Sequence, residues 1–395
     1  MYKNNIISIS GMPVSGKSTT INTIIEKLKE RGYDSSKIHL ISTGKQFREV
    51  FNDMVNIIKN HRIDEKGNNL DSSELTQKLL SQKGFRDIII RTIVKLRKNN
   101  YDISNFSIEQ ANNLEELKDL RNKIDELIDT NIRDLGNEIN SEKHDDEIWL
   151  IDSRLAFSNI PDSFSVRLTV DDNIAGERLV NDKTRGQEDN QYKSISEAKK
   201  AIINRRNGEQ KRYLERYNVD LEDTNNYDLI IDTSYSNVED IAETIIKCNK
   251  KYRENEYFGK KWASPKKFLP TQSELMTVSK GSFVTLDQII ENIKKQGYYE
   301  DEELETIHVD NRDYIVEGHH RNFGAARAGK TLVPYITIAE DDRYIPGTKN
   351  TARSFSRATS KGILLGHEWI IGDKFSYEDI YPGIYSELEK SEEER

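Results

Sequence analysis

The chain has 395 residues, enough for two or three domains, and carries 59 Lys and Arg against 68 Asp and Glu, a formal net charge of −9. This acidic balance disfavours general binding to nucleic acid or to an anionic membrane. The single cysteine, Cys248, excludes an internal disulfide framework and a cysteine-rich zinc site. The N-terminus lacks an apolar signal core and no apolar run is long enough to span a membrane, so we expect a cytoplasmic protein.

The first 41 residues have the pattern of a strand, a helix and a second strand. Residues 6–10 are rich in β-branched side chains, apolar residues then recur at helical spacing over 18–31, and residues 37–41 form another β-type run. Further strands at 148–152, 166–170 and 229–232 alternate with helices. This order predicts an α/β fold, a parallel sheet with helices on both faces. A long, charged helical insertion occupies about 50–140, and apolar residues from Leu114 to Leu135 mark one face of a long amphipathic helix within it.

A phosphate-binding pattern follows the first strand directly. Residues 11–18, GMPVSGKS, fit GxxxxGK[ST], with a strand before and a helix after. Glycines let successive N–H groups point inward, Lys17 can reach the β- and γ-phosphates, and Ser18 offers a hydroxyl to Mg²⁺. We predict a P-loop NTPase that uses ATP and Mg²⁺. The expected nucleotide-binding residues are Gly11, Ser15, Gly16, Lys17, Ser18 and Thr19.

Several later segments resemble the cytidylate kinase family, especially its archaeal-type branch. They include STGKQFR at 42–48, IDSRLA at 151–156 and NRRNGEQKRY at 204–213. The resemblance covers about 1–247 apart from the insertion, and Ser153 stands where the family usually has glycine. It implies a nucleotide acceptor, with CMP or dCMP the best candidate, bound by Gly44, Arg48 and Arg154. Another phosphorylated or hydroxyl acceptor stays open.

The catalytic residues are inferred partly from position and partly from this resemblance. Asp152 ends an apolar strand, where its carboxylate can hold Mg²⁺ together with Ser18 or can simply cap a turn. The resemblance implies that about 178–212 forms a mobile lid whose arginines stabilise the transferring phosphoryl group. A solvated helix face is the alternative for each arginine alone. The predicted catalytic set is Lys17, Asp152, Arg178, Arg185, Arg205, Arg206 and Arg212.

The pattern changes after a charged, non-periodic stretch at about 253–264, which we predict to be a linker between domains at 1–252 and 265–395. In the second domain, residues 322–329 have a helix-like pattern, and YIVEGHHRNFGAARAGK at 314–330 resembles the ParB/sulfiredoxin fold. It is closest to a branch with an Asp-Gly-His-His-Arg motif that includes free serine kinases. The resemblance implies a smaller α+β domain with a second phosphate or nucleotide site. The expected residues are Glu317, Gly318, His319, His320 and Arg321.

Other chemistries fit this second motif less well. Glu317 stands where the branch usually has Asp, and it could hold Mg²⁺. Adjacent histidines at a strand-to-turn point apart, and no cysteine or third histidine completes a zinc set. The sulfiredoxin cysteine is absent from the motif, and no helix-turn-helix domain follows it. Two buried histidines that satisfy turn carbonyls are a purely structural alternative.

We therefore expect an ATP- and Mg²⁺-dependent kinase of a nucleotide or small-molecule acceptor. Three alternatives remain. The C-terminal domain could be a small-molecule kinase or nucleotide hydrolase in its own right, or a regulatory nucleotide sensor. A modified nucleoside or base in nucleic acid could also be the acceptor, although the acidic charge argues against it. The oligomeric state is not predicted.

Overall fold

A computed structural model of the chain describes residues 4–60, 76–77, 80, 83–99, 101, 111, 114–144, 146–182, 192–272, 284–298, 301–365, 370–371 and 375–376. Within these residues the fold is mixed α/β, with extensive and mostly parallel strand pairing. None of the described helices combines the length and apolar content needed to cross a membrane.

The described strands are short, and most of them are buried. They are β1 (Ile6–Gly11), β2 (Ile38–Ser42), β3 (Ile148–Asp152), β4 (Phe164–Thr169), β5 (Leu229–Asp232), β6 (Lys261–Ala263), β7 (Phe268–Leu269), β8 (Leu304–Val309), β9 (Arg312–Glu317), β10 (Val333–Glu340), β11 (Ile370–Ile371) and β12 (Phe375–Ser376).

The described α-helices range from one turn to more than six turns. They are α1 (Lys17–Glu30), α2 (Thr43–Asn60), α3 (Lys83–Lys98), α4 (Lys118–Ser141), α5 (Ala156–Asn159), α6 (Asp172–Asn181), α7 (Ile195–Tyr217), α8 (Val238–Glu254), α9 (Leu286–Gln296), α10 (His319–Arg327) and α11 (Ala352–Leu365).

The chain divides into two compact units. The first takes the chain up to Ser10 and the stretch Ser36–Ser163; the second takes Gly11–Ser35, Phe164–Asn181 and the chain from Tyr192 onward. In the first unit, β3 pairs in parallel with both β1 and β2, so that Asp152 stands opposite Ser42 in the register. The polar ends of β2 and β3 therefore lie side by side.

The helical insertion supplies most of the first unit's core. Along α4, buried residues recur every four positions, which puts one apolar face of the helix against α2 and α3. This confirms the amphipathic helix predicted for that stretch. The buried face of α4 comprises Leu120, Ile124, Ile128 and Ile132.

The second unit contains a continuous sheet in the order β4-β5-β6-β10-β8-β9-β7. β6 is the connecting strand: Lys261 pairs in parallel with Ile230 of β5 and antiparallel with Tyr335 of β10. The segment 253–264, expected to be a linker, thus contains the end of α8 and an internal strand of this sheet. β6 has only three residues and lies beside charged ones, so the sequence there is too short to show the alternation that predicts a strand. The domain boundaries stay a prediction.

The insertion core gives a matched stability test. Ile124 is fully buried in α4, whereas Ile90 on α3 is 54% exposed. We expect Ile124→Ala to lower the free energy of unfolding by about 2–5 kcal/mol, because it removes buried methyl groups and leaves a cavity. Ile90→Ala should change it by less than about 0.5 kcal/mol. Urea unfolding followed by circular dichroism measures both, and equal losses would contradict the described packing.

Candidate active site

The predicted phosphate-binding loop, residues 11–18, connects β1 to α1. Gly16 has φ 81° and ψ 16°, a left-handed conformation that favours glycine, and it immediately precedes α1. No side chain caps the N-terminus of α1. The first N–H groups of a helix point away from its body and carry partial positive charge, so this end of α1 has the geometry that binds phosphate.

A buried hydroxyl inside the loop also fits an anion. Ser15 is 1% exposed, and its Oγ has no hydrogen-bond partner among the described residues. A Cβ on Gly11 would lie only 2.6 Å from that oxygen and 3.1 Å from the Leu168 carbonyl oxygen, so the close packing requires glycine. Because buried polar atoms are normally paired, the Ser15 hydroxyl fits a phosphate oxygen. The loop residues thus suit the ATP phosphates predicted for them.

The turn after β5 supports this loop from behind. The Thr233 hydroxyl lies 3.0 Å from the Ser15 carbonyl oxygen, to which it can donate. Arg178 donates to the Thr233 carbonyl at 2.5 Å and to the Thr233 hydroxyl at 3.1 Å, and it lies 3.5 Å from the Val14 carbonyl oxygen. Val14 has φ 63°, which is strained for a β-branched residue. Thr233 and Arg178 therefore hold a strained loop in place.

Arg178 was predicted as a lid catalyst, and its guanidinium is instead engaged with carbonyls of the loop and the turn. Burial lowers its pKa, and the nearby Asp232 carboxylate acts against that decrease. A half-buried guanidinium with several carbonyl partners is suited to positioning the loop. Its predicted role in the transfer step is not tested by this arrangement.

The other predicted lid arginines are placed differently from one another. Arg206 of α7 donates to both carboxylate oxygens of Asp172 on α6, at 2.7 and 3.2 Å, which ties the two helices together. Arg205 is exposed and pairs with Glu209 at 3.3 Å. Arg212 stacks over the adjacent Tyr213 ring, 5.1 Å from its centroid. Arg185 lies outside the described residues.

In the first unit, the predicted acceptor residues follow β2 and β3. Ser42 Oγ donates to Asp152 Oδ2 at 2.9 Å, and Thr43 Oγ1 donates to the Asp152 carbonyl at 3.1 Å. Gly44 leaves room beside Arg48, since a Cβ there would lie 3.6 Å from Nη1. Arg48 on α2 is exposed, and Arg154, two residues after Asp152, is partly exposed. A hydroxyl, a carboxylate and two arginines therefore lie on segments that leave adjacent strand ends.

The predicted magnesium ligands have suitable chemistry. Ser18 is exposed in the first turn of α1 and Thr19 is exposed beside it, while the Asp152 carboxylate is partly buried. Among the described residues no group of three or more His, Cys, Asp or Glu side chains is placed to hold a metal ion. Magnesium at phosphoryl-transfer sites uses one or two protein oxygens, because substrate phosphates and water complete its octahedron. The Ser18 hydroxyl and the Asp152 carboxylate, each taken by itself, are oxygen ligands of this kind.

The second predicted site lies at the start of α10, in the second unit. Gly318 has φ 100° and precedes the helix, whose N-terminus again has no side-chain cap. Arg321 donates to Glu302 at 2.8 Å and to the Glu303 carbonyl at 3.3 Å, while its buried Nε has no partner among the described residues. Glu317 is exposed. The Arg321 guanidinium, which was predicted to bind phosphate, is therefore partly occupied by hydrogen bonds within the chain.

His319 is 3% exposed, and it is held by the segment just after β7. The Thr271 N–H donates to His319 Nε2 at 3.1 Å, and the Thr271 hydroxyl donates to the Ile315 carbonyl at 2.5 Å. Burial, with a smaller contribution from the neighbouring His320, lowers the pKa of His319 to about 3. His319 is therefore neutral at physiological pH, and its Nε2 accepts from a backbone N–H, whereas the structural alternative had the histidines bonded to turn carbonyls. His320 is partly buried.

A network of charges that the sequence did not reveal links β5 to β9. Lys267, just before β7, lies 2.5 Å from Asp232 and 3.3 Å from Asp313, and 27% of its side chain is exposed. Burial opposes its charge, but the two carboxylates and Tyr335 raise its pKa overall. Asp313 is also paired with His308 at 2.9 Å. The charges in this network alternate in sign. Because Asp232 and Asp313 lie 81 positions apart, no local pattern in the sequence predicts that they share Lys267.

The comparisons with known proteins bear on the kinase resemblance. No family model matches the chain. A cytidylate kinase of Methanosphaera stadtmanae is 31% identical over 130 residues, which are 32% of this chain and 66% of that enzyme. The chain thus spans just under two thirds of the length of this relative, and the identity supports a nucleotide kinase-like region. An uncharacterized protein from Eubacterium ventriosum has 18% identity and a TM-score of 0.32, covering 63% of this chain and 99% of that one.

Two histidines of the second unit should affect the pH dependence of stability in opposite ways. Below pH 6.5 an unfolded chain protonates residue 319 while the folded chain does not, so stability falls by up to about 1.4 kcal/mol per pH unit. His319→Gln keeps an acceptor for the Thr271 N–H. On the acid side it should reduce the slope of unfolding free energy against pH by the equivalent of about one proton. Urea unfolding between pH 4 and 9 measures the change.

His308 is the matched control of opposite sign. The hydrogen bond that His308 donates to the Asp313 carboxylate raises the pKa of His308, so its stabilising contribution is complete below pH 6.5 and is lost as the pH rises through the folded-state pKa. His308→Gln should therefore flatten the alkaline side of the profile and leave the acid-side loss in place. If His319→Gln left the acid-side slope of unfolding free energy against pH unchanged, that result would contradict a buried, neutral His319 imidazole in the wild-type protein.

Proposed function

We propose that this chain is an ATP- and Mg²⁺-dependent phosphotransferase of the nucleotide kinase type, with CMP or dCMP as its first candidate acceptor. The observation that carries the proposal is the loop before α1: a left-handed Gly16, an uncapped helix N-terminus and the buried, unpartnered Ser15 hydroxyl. The identity to a cytidylate kinase supports the kinase assignment independently. The cytoplasmic location stays a prediction.

The residues have the following roles in this proposal. ATP supplies the phosphoryl group, and bound Mg²⁺ neutralises charge that develops during transfer. The N–H groups at the start of α1 and the Lys17 ammonium bind the phosphates, and the Ser18 hydroxyl of the same helix is offered to the ion. The Asp152 carboxylate is the second ligand that the sequence predicts. Gly11, Gly16 and Thr19 shape the loop around the phosphate chain. Positioning and electrostatics carry such a reaction, so no strong general base is required.

The acceptor is bound by the residues that follow β2 and β3. Ser42 keeps the Asp152 carboxylate oriented through their 2.9 Å hydrogen bond. Arg48 and Arg154 are the groups that can form paired hydrogen bonds with an acceptor phosphate, because a guanidinium matches the spacing of phosphate oxygens. Gly44 lets the acceptor approach the first turn of α2. Arg205, Arg206 and Arg212 are the lid cations proposed to stabilise the transferring group.

The first test concerns Lys17. We expect Lys17→Ala to lower kcat/KM for CMP phosphorylation by at least about 100-fold, the loss typical for one charged group that stabilises a transition state. Lys29→Ala, an exposed lysine on the same helix, is the control and should retain activity. Coupled detection of ADP gives the rates, and circular dichroism checks folding. A Lys17→Ala enzyme with normal turnover would refute a P-loop kinase.

The second test identifies the acceptor. Labelled ATP and Mg²⁺ are offered with CMP, dCMP, other nucleoside monophosphates, cytidine, free serine or short DNA. We expect Arg48→Ala to raise KM for CMP at least 10-fold, because one charged hydrogen bond is lost. Arg91→Ala, on the exposed face of α3 in the same unit, should leave KM unchanged. A labelled serine or DNA product instead of CDP would overturn the acceptor assignment and leave the phosphotransferase assignment intact.

A further inference from the structure

A cavity of about 340 Å³ opens in the second unit, beside the turn that supports the phosphate-binding loop. Three separate segments form its walls: the start of the β5–α8 connection, the turn before β7 and the chain just after α10. The residues that matter here are Tyr235, Pro265, Lys266, Arg327, Lys330 and Thr331. None of the residues 11–19 lines it, so it is distinct from the phosphate-binding loop.

The charge of this cavity is unusual for the chain. Lys266, Arg327 and Lys330 contribute three cations from two segments, and no carboxylate is among the described residues that line the cavity, although the chain has a net charge of −9. Two carboxylates lie next to its walls, and Asp240 also lines a neighbouring pocket together with Lys330. Asp232 pairs with Lys267, and Asp240 accepts hydrogen bonds from the Thr331 hydroxyl at 2.6 Å and the Thr331 N–H at 3.2 Å. The cations therefore face a volume that attracts anions.

The walls are fixed before any ligand binds. Asn322 Nδ2 donates to the Pro265 carbonyl at 3.2 Å, which anchors the turn that carries Lys266. Ser236 Oγ donates to the Thr331 carbonyl at 2.7 Å, which anchors the chain next to Lys330. A preformed cavity of this size is typical of small-molecule sites and loses little entropy on binding.

An aromatic side chain completes the chemistry. Tyr235 lies at the cavity and is 43% exposed, so its ring can stack against a planar group. Bases stack on aromatic side chains with about 1–3 kcal/mol each, and Lys and Arg bind phosphates as charge-assisted donors. Nucleoside phosphates offer both a planar ring and several negative charges within a few hundred cubic ångströms, so they match this combination of side chains.

We propose that the cavity between Tyr235 and the cations Lys266, Arg327 and Lys330 is a second nucleotide-binding site. The phosphates bind the three cations and the base lies on Tyr235. The site is separate from the Gly318–Arg321 turn, which lies at the opposite end of α10. Tyr235 is two positions from Thr233, whose hydroxyl contacts the Ser15 carbonyl, so an occupant of this site lies close to the support of the phosphate-binding loop.

The test uses the full chain with the first site weakened. ATP, CTP, CDP and CMP are each titrated calorimetrically into Lys17→Ala protein. We expect at least one of them to bind with a stoichiometry of one. In the triple variant Lys17→Ala, Lys266→Gln, Lys330→Gln that affinity should fall at least 10-fold. A matched variant with the same charge change, Lys17→Ala, Lys294→Gln, Lys349→Gln, removes exposed lysines elsewhere and should bind like Lys17→Ala.

The outcomes separate this site from the proposed kinase function. Failure of all four nucleotides to bind Lys17→Ala protein, or equal affinity in the triple variant and its control, overturns the second site. Tyr235→Ala should weaken binding of the same nucleotide without changing its dependence on salt, whereas the lysine substitutions should reduce that dependence. Phosphotransferase activity measured with wild-type protein tests the proposed function separately, so either assignment can fail alone.

Discussion

The turn that follows β5 is the point on which the second unit depends. Its Thr233 hydroxyl meets the Ser15 carbonyl of the phosphate-binding loop, and its Thr233 carbonyl accepts from Arg178. The preceding Asp232 meets Lys267, which lies just before β7. Two consecutive positions at one strand end thus join the phosphate-binding loop on one side to the C-terminal strands on the other.

Because the charged residues of this junction neutralise one another, replacing one of them alone destabilises the fold. Lys267 lies between Asp232 and Asp313, so removing either carboxylate leaves a largely enclosed ammonium with incomplete neutralisation. Breaking a buried ion pair by deleting one partner costs far more than the pair contributes on balance, because the remaining charge keeps its desolvation penalty. The same row reaches His308 through Asp313. The geometry of the phosphate-binding loop is thereby tied to side chains on strands more than 200 residues away.

Local sequence patterns predicted much of the secondary structure and little of this junction. β1, α1 and the amphipathic face of α4 were predicted correctly, because alternation, helical periodicity and a Gly-rich turn are local signals. The helix predicted at 322–329 begins earlier, at His319, because Gly318 in the left-handed conformation already starts it. β6 was missed because three residues are too few for a pattern, and its pairing partners lie on β5 and β10.

The candidate site divides in the same way. The motif predicted the loop, whereas the partners of Arg178 could not be predicted, because the carbonyls it binds belong to Thr233 and Ser234, 55 and 56 positions later. An arginine in a lid segment has the same local pattern whether it faces a substrate or braces a loop. Thr271, which fixes the His319 ring, is equally invisible 48 positions before it. The residue type predicted which groups each side chain can bind, but not which residues it contacts in the fold.

An acidic chain with locally concentrated cations discriminates between kinds of anion. A polyanion such as nucleic acid interacts with the electrostatic potential of a large part of the protein surface. At a net charge of −9 that potential repels anions on average. A mononucleotide is small enough to enter a concave site, where Lys266 and Lys330 are close and distant carboxylates are screened over about 10 Å. The same argument applies to Lys17 at the start of α1. We therefore expect small phosphorylated molecules to bind to the proposed sites more readily than long polyanions do.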